Sequence, residues 1–188
     1  MIMSSILAGI SIGIAGILFC LAPNATIGAL LFSLGLLNVL LMKYHLVTGK
    51  FQYLGKDYTI SDISEVLIGN AIGIFFVALF CWCFAPPAVM AAATTAATAK
   101  IAVPLLVTFG KAILCGYIMT VATRPNTPLW VSALGVFAFI STGLNHCIAD
   151  LFFYNVSQIN GWIMPLWTAF FGNMIGGVVG GITPPHHP

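Results

Sequence analysis

Long apolar stretches separated by short polar segments run through the whole chain. Six of them reach the roughly 20 predominantly apolar residues that a helix needs to cross a bilayer. The polar segments between them are rich in proline, glycine and asparagine, which favour turns and end helices. The pattern therefore predicts six transmembrane helices, at about Ile2–Leu21, Thr26–Tyr44, Ile63–Phe84, Ile101–Thr123, Leu129–Phe153 and Trp162–Ile182.

The composition is that of a chain surrounded by a lipid bilayer. Of the 188 residues, 60% are hydrophobic and 5% are charged, whereas a soluble domain carries roughly 25% charged residues. The net charge is +2 and there is no basic run, which argues against nucleic acid as a partner. The five cysteines lack zinc-type spacing, so we expect no metal site, no cofactor and no disulfide framework.

The distribution of positive charge predicts how the spans are oriented. Lys50, Lys56 and Arg124 lie in the second and fourth connections, whereas Lys100 lies on the opposite side of the membrane. This bias places both termini in the cytoplasm, and we expect a bacterial-type cytoplasmic membrane.

A short motif, Gly-Asn-x-x-Gly, occurs once in each half of the chain, in the third and the sixth predicted span. Small residues at this spacing let helices approach closely, so we expect the motifs to serve helix packing. Since each half has three spans, the second half is expected to be inverted relative to the first, as in many transporters and channels. The motif residues are Gly69, Asn70 and Gly73, then Gly172, Asn173 and Gly176.

We therefore expect residues 1–183 to form a single all-α transmembrane domain built from two inverted three-helix repeats. The repeats cover about residues 1–85 and about residues 101–183. Residues 184–188 are interpreted as a polar tail or an added remnant, and no metal site is assigned to the histidines at 186 and 187.

Polar groups interrupt the second and fifth predicted spans, which are the middle spans of the two halves. The second carries Lys43 near its end and His45 directly after it, and the fifth contains Gly143, His146 and Asp150. Irregular backbone at membrane depth is tolerated where it is buried in protein or lines an aqueous cavity. Paired interrupted helices also mark the binding sites of transporters, so the sequence predicts a site where these two spans are interrupted.

His146 is the strongest single candidate, because an ionisable side chain inside a span indicates a functional site. The alternative is a neutral core histidine bonded to Asn145 or Thr48. Asp150 follows one helical turn later and either faces His146, lies at the water interface or caps the helix. Lys111 in the fourth span is expected to snorkel to an interface or to pair with a carboxylate.

In their order and spacing, several segments together resemble the formate/nitrite transporter family over nearly the whole chain. The resemblance implies an aquaporin-like protomer of six spans with its own pore, assembled as a homopentamer. The segments that carry it are Phe32 to Leu36, Leu46 to Gly49, Gly69 to Gly73, Ala91 to Lys100, Ile113 to Gly116, Gly143 to Phe153 and Phe171 to Gly177.

The resemblance also implies roles for individual residues of the expected pore. His146 matches the central histidine, Thr48 matches the threonine of the second-span loop, and Lys100 matches the lysine of the outer vestibule. An apolar constriction is implied at Leu46 and Phe139 beside the histidine, and at Phe32 and Leu36 on the cytoplasmic side.

Three features depart from the family pattern. Asn145 stands where an acidic residue usually precedes the histidine, and Gly116 stands where an asparagine is usual in the fourth span. The first span follows Met1 at once, so no cytosolic N-terminal helix is expected. The glycine-rich second span, which runs into Thr48, Gly49 and Lys50, is compatible with a divergent branch of the family, such as the hydrosulfide channels.

Residues and resemblance together predict passage of a small monovalent weak-acid anion, of the formate, nitrite or hydrosulfide class, with proton sharing at His146. The alternative is a channel for a neutral solute such as water, urea or ammonia, although the NPA motifs of aquaporins are missing. An enzyme is not expected, because no set of catalytic groups converges. A haem-binding subunit would need axial histidines, for which the spans offer His45 and His146.

Overall fold

The computed structural model describes residues 1–182, which are helical apart from short connections. The tail predicted at residues 184–188, with its two histidines, lies outside the described residues. A short 3-10 turn, Phe51–Tyr53, follows the third helix. The helices are α1 (Ile2–Leu21), α2 (Ala25–Leu41), α3 (Val47–Lys50), α4 (Ile60–Phe84), α5 (Pro87–Ile101), α6 (Leu105–Thr123), α7 (Leu129–Ser141), α8 (Cys147–Ser157) and α9 (Ile163–Ile182).

Four helices in this part of the chain, α1, α4, α6 and α9, are long and apolar enough to cross a membrane. They form two closely packed pairs, α1 with α4 and α6 with α9. The stretches predicted as second and fifth spans are each divided between two helices, α2 with α3 and α7 with α8. The all-helical prediction is confirmed, but the helices are more numerous and several are shorter than predicted.

Helix α5 was not predicted, because it occupies what the hydropathy pattern left as a connection between the third and fourth spans. Its sequence explains why it is helical. Pro87 stands at its first position, where the missing N–H costs nothing, and alanine, the strongest helix former, recurs between Ala91 and Ala99. Its threonines lower the hydropathy, so it does not read as a span.

The glycines of the two Gly-Asn-x-x-Gly motifs lie where helix backbones meet. A Cβ atom on Gly73 would overlap the carbonyl oxygen of Ile6, and one on Gly176 would overlap that of Ile113. Such close contacts between helices are possible only where the side chain is absent. The two helices of each long pair are therefore in close contact at these glycines.

The long helix α4 begins with a capping box. The hydroxyl of Thr59 accepts a hydrogen bond from the backbone N–H of Asp62 at 3.2 Å. In return, the carboxylate of Asp62 accepts from the backbone N–H of Thr59 at 2.8 Å. The box satisfies two backbone donors that the helix start would otherwise leave without partners.

Candidate functional site

The chain is interrupted at two corresponding places, between α2 and α3 (the first break, residues 42–46) and between α7 and α8 (the second break, residues 142–146). Each break turns through one left-handed residue, Lys43 with φ 56° and Gly143 with φ 68°. The next residue, Tyr44 or Leu144, donates its N–H to the carbonyl five residues earlier, at 2.9 Å in both. Both helices thus end in the same Schellman-type motif.

Asn173, from the motif in α9, braces the second break. Its Oδ1 accepts a hydrogen bond from the backbone N–H of Cys147 at 2.8 Å. Its Nδ2 donates to the carbonyl oxygens of Asn145 and Ala112, both at 2.8 Å. One buried amide therefore ties the start of α8 and the break itself to α6 and α9.

Asn70, from the motif in α4, braces the first break in the same way. Its Oδ1 accepts from the backbone N–H of Val47 at 2.9 Å. Its Nδ2 donates to the carbonyl oxygens of His45 at 2.8 Å and Ser5 at 2.7 Å. Sequence reasoning assigned the motif asparagines to helix packing and missed this bracing role. The available signal was a lone amide at the same place in both halves.

His146 is held on three sides at the second break, with 2% of its surface exposed. Its Nδ1 accepts a hydrogen bond from the backbone N–H of Ala149 at 3.1 Å. Its Nε2 lies 2.9 Å from Oγ1 of Thr48 in α3. The ring stacks on Phe139 of α7, with centroids 5.2 Å apart and planes inclined by 10°.

These contacts define the protonation of the imidazole. Because Nδ1 of His146 accepts from a backbone donor, the neutral ring carries its proton on Nε2 and donates it to the hydroxyl of Thr48. The hydroxyl hydrogen of Thr48 is then available for another acceptor. The two breaks, which belong to different halves of the chain, are joined through this pair.

Asp150 is buried and forms an ion pair with Lys100. The Nζ of Lys100 lies 2.7 Å from Oδ1 of Asp150, whose side chain is 1% exposed, and Nδ2 of Asn145 donates to Oδ2 at 2.9 Å. The interpretation of Asp150 as an interface residue is therefore wrong. The acidic residue that usually precedes the histidine is missing at position 145. Asp150, one helical turn after His146, supplies a carboxylate instead, and Asn145 donates a hydrogen bond to it.

A cavity of about 250 Å³ opens beside this ion pair, and we call it the Lys100 vestibule. Lys100 also donates to the carbonyl oxygen of Leu144 at 3.3 Å, so its side chain links the cavity to the second break. The vestibule is lined by residues of α1, α5, α6, α7, the second break and α8, among them Phe19, Lys100, Lys111, Gly143, Asn145 and Phe153.

The four residues of the predicted constriction are all buried: Phe32, Leu36, Leu46 and Phe139. Leu46 is the residue that precedes α3, and Phe139 stacks on the histidine. The ring of Phe32 lies 6.5 Å from that of Phe19, which lines the Lys100 vestibule. Phe32 therefore lies on the same side as Lys100, whereas the resemblance placed these two residues at opposite ends of the pore.

Gly116, the second departure from the family pattern, lies at a close contact between α6 and α9. A Cβ atom at this position would overlap the carbonyl oxygen of Asn173. This structure therefore has no room for an asparagine at position 116. The departure is explained by helix packing around the brace of the second break.

The first break carries polar groups of its own. His45 stands at the position that corresponds to Asn145, and its Nδ1 lies 2.9 Å from the hydroxyl of Tyr58. The Nζ of Lys50 lies 5.3 Å from the centre of the same tyrosine ring. His45 and Lys50 thus contact the loop before α4, whereas His146 contacts Thr48.

Broken helices braced by asparagine, a buried histidine and a lysine-lined vestibule, within a bundle of membrane-length apolar helices, define a helical membrane channel or transporter. A family model described as formate/nitrite transporter matches residues 1–186. The chain belongs to the formate/nitrite transporter family.

Solved structures show the same fold. A pentameric formate channel with formate bound is similar with a TM-score of 0.74 and 20% identity, over 96% of this chain and 91% of that chain. An FNT family ion channel is similar with a TM-score of 0.75 and 21% identity, over 95% of this chain and 84% of that chain. A comparison with curated proteins finds no match.

Proposed function

We propose that this protein passes a small monovalent weak-acid anion, of the formate, nitrite or hydrosulfide class, through a pore in each protomer. The observation that carries the proposal is the buried imidazole of His146, held between Thr48 and Phe139 and next to a lysine-lined vestibule. Membership of the formate/nitrite transporter family and the likeness to a formate channel with formate bound support it.

The architecture that we propose has six spans in two inverted repeats, about residues 1–85 and 101–183, in which α2 with α3 and α7 with α8 are interrupted spans. The matched braces at Asn70 and Asn173 support this pseudo-symmetry. Both termini would lie in the cytoplasm of a bacterial-type cytoplasmic membrane. A homopentamer is proposed by likeness to the pentameric formate channel.

The energetic problem for such a pore is the charge of its substrate. A bare charge in an apolar constriction costs several kcal/mol or more. Protonating a carboxylate of pKa about 4 at pH 7 costs roughly 3 × 1.36, or about 4 kcal/mol. Passage of the neutral acid between Leu46 and Phe139, which are both buried, can therefore compete with passage of the bare anion.

The hydrogen bonds of His146 favour the neutral-acid route over one in which His146 stays positively charged as a counter-ion. An imidazolium would carry a proton on Nδ1 as well, and Nδ1 faces the backbone N–H of Ala149 at 3.1 Å. Two donors would then face each other inside the protein. In the neutral ring, Nε2–H donates to the hydroxyl of Thr48, and that hydroxyl can donate a hydrogen bond to the anion. The proton that neutralises the anion is taken up from water on one side and released to water on the other, so His146 keeps its own proton throughout.

The test is uptake of formate, nitrite, hydrosulfide and urea into proteoliposomes across pH, with wild type, His146→Phe and His45→Phe. Replacing His146 is expected to lower anion uptake roughly ten- to hundredfold, because Thr48 loses the partner that orients its hydroxyl toward the anion and a hydrogen bond to a charged group contributes about 1.5–3 kcal/mol. His45→Phe is the matched control, because it removes a histidine at the other break and leaves the contact between Thr48 and His146 in place.

Two results would contradict the proposal. Undiminished anion uptake by His146→Phe would remove the histidine from the mechanism. Urea flux without flux of any of the three anions would replace the anion pore with the neutral-solute channel.

A further inference from the structure

The charges around the Lys100 vestibule do not contribute equally to its field. Lys100 lies 2.7 Å from Oδ1 of Asp150, so at longer range their opposite charges largely cancel. Lys111 of α6 lines the same cavity. Within residues 1–182, no carboxylate lies within 4.0 Å of Lys111 and its Nζ takes part in no hydrogen bond. The net charge of the vestibule is therefore the single positive charge of Lys111.

Lys111 faces the vestibule. It stands in the second turn of α6 and shares the cavity with Gly143 and Asn145 of the second break. The carboxylate of Asp150, which could otherwise pair with Lys111, is already paired with Lys100. Lys111 thus lies on the path by which a solute would approach the break.

The walls of the vestibule strengthen the effect of one net charge. Phe19, Ile140 and Phe153 supply apolar lining around the two lysines. A concave site with low-dielectric walls concentrates the field of a fixed charge and raises the local concentration of the oppositely charged solute. A single uncompensated lysine is sufficient to favour anions over cations at this end of the protein.

We propose that Lys111 is the residue that collects the anion in the Lys100 vestibule, while Lys100 serves to hold Asp150 and Asn145 in place. The inference rests on the proposed transport of anions. It assigns to Lys111 the electrostatic role that the resemblance alone gives to Lys100.

The first test compares wild type, Lys111→Gln and Lys111→Arg in proteoliposomes at low ionic strength. At low anion concentration, Lys111→Gln is expected to reduce the initial rate roughly three- to tenfold, the range for one unit charge acting a few ångströms away. Lys111→Arg keeps the charge and is expected to retain the rate. The difference should disappear at saturating anion and shrink at high salt, where the charge is screened.

A second variant separates charge from shape. Lys111→Cys is treated with a positively charged or a negatively charged methanethiosulfonate reagent, with treated wild type as the control for the exposed Cys83. The positive adduct is expected to restore the rate at low anion concentration, and the negative adduct to lower it further. Both reagents act on protein that is already folded.

The outcomes distinguish the two proposals. Equal rates for wild type and Lys111→Gln at low anion concentration, or equal effects of the two reagents, would refute the role of Lys111 while wild-type anion flux continued. Wild-type protein that carries no anion under any condition would instead refute the proposed function.

Discussion

Replacing Asn173 by alanine should remove the hydrogen bonds that hold the second break and destabilise the whole protein. The variant removes three hydrogen bonds of 2.8 Å. The carbonyl of Ala112 lies within α6 and keeps its helical partner. The backbone N–H of Cys147 and the carbonyl of Asn145 lose the partner that Asn173 provides, and both residues are buried.

The magnitude follows from those two orphaned groups. Each buried group left without a partner costs about 1–3 kcal/mol, so Asn173→Ala is expected to cost about 2–6 kcal/mol. For a chain of this length, 1 kcal/mol corresponds to roughly 2–4 °C. The thermal midpoint should therefore fall by roughly 5–20 °C.

The assay is thermal unfolding of the purified protein in detergent, followed by tryptophan fluorescence. The thermal midpoint of Asn70→Ala should fall by a similar amount, because Asn70 makes the equivalent three hydrogen bonds at the first break. Asn155→Ala is the matched control, since within residues 1–182 the amide of Asn155 bonds only to the carbonyl of Leu151 in α8. A loss for Asn173→Ala no greater than that for Asn155→Ala would refute the bracing role.

Two further predictions use the same unfolding assay. Gly116→Ala should lower the midpoint, because the new Cβ overlaps the carbonyl of Asn173 and overpacking costs about 1–3 kcal/mol. Gly110→Ala should leave the midpoint unchanged or raise it, because in residues 1–182 nothing beyond the chain neighbours and the backbone of the same helix lies within 4 Å of the added Cβ. Equal effects of the two substitutions would contradict the close helix contact. Thr59→Ala removes the capping box of α4 and should cost about 1 kcal/mol, and an unchanged midpoint would show that the cap contributes nothing.

The long helices were predictable because hydropathy reports burial in lipid directly. The first predicted stretch coincides with α1, Ile2–Leu21, and the last, Trp162–Ile182, differs from α9, Ile163–Ile182, by one residue. Hydropathy does not report backbone direction, so the break inside Leu129–Phe153 had to be inferred from its polar cluster. That inference placed an interruption at Gly143 and His146, in the segment that separates α7 from α8 in the structure.

The contacts that build the site were harder to predict because they join residues far apart in the chain. Thr48 and His146 are 98 residues apart, and Lys100 pairs with Asp150 across two intervening helices, α6 and α7. A pattern read along the chain places each residue on a helix but does not say which residues face each other. The sequence therefore left three alternatives open for Asp150, although its side chain is buried and paired with Lys100.

The glycine contacts between α1 and α4 and between α6 and α9 also bear on the speed of transport. At these crossings the backbone of the glycines packs directly against backbone and side-chain atoms of the partner helix. Sliding one helix past its partner would therefore break several close contacts at once. Such collective shifts take microseconds to milliseconds, whereas side-chain rotations take picoseconds to nanoseconds. A passage whose width changes only when Phe139 or Leu46 rotates would not have to wait for the helices, and its turnover would be limited by solute arrival and protonation.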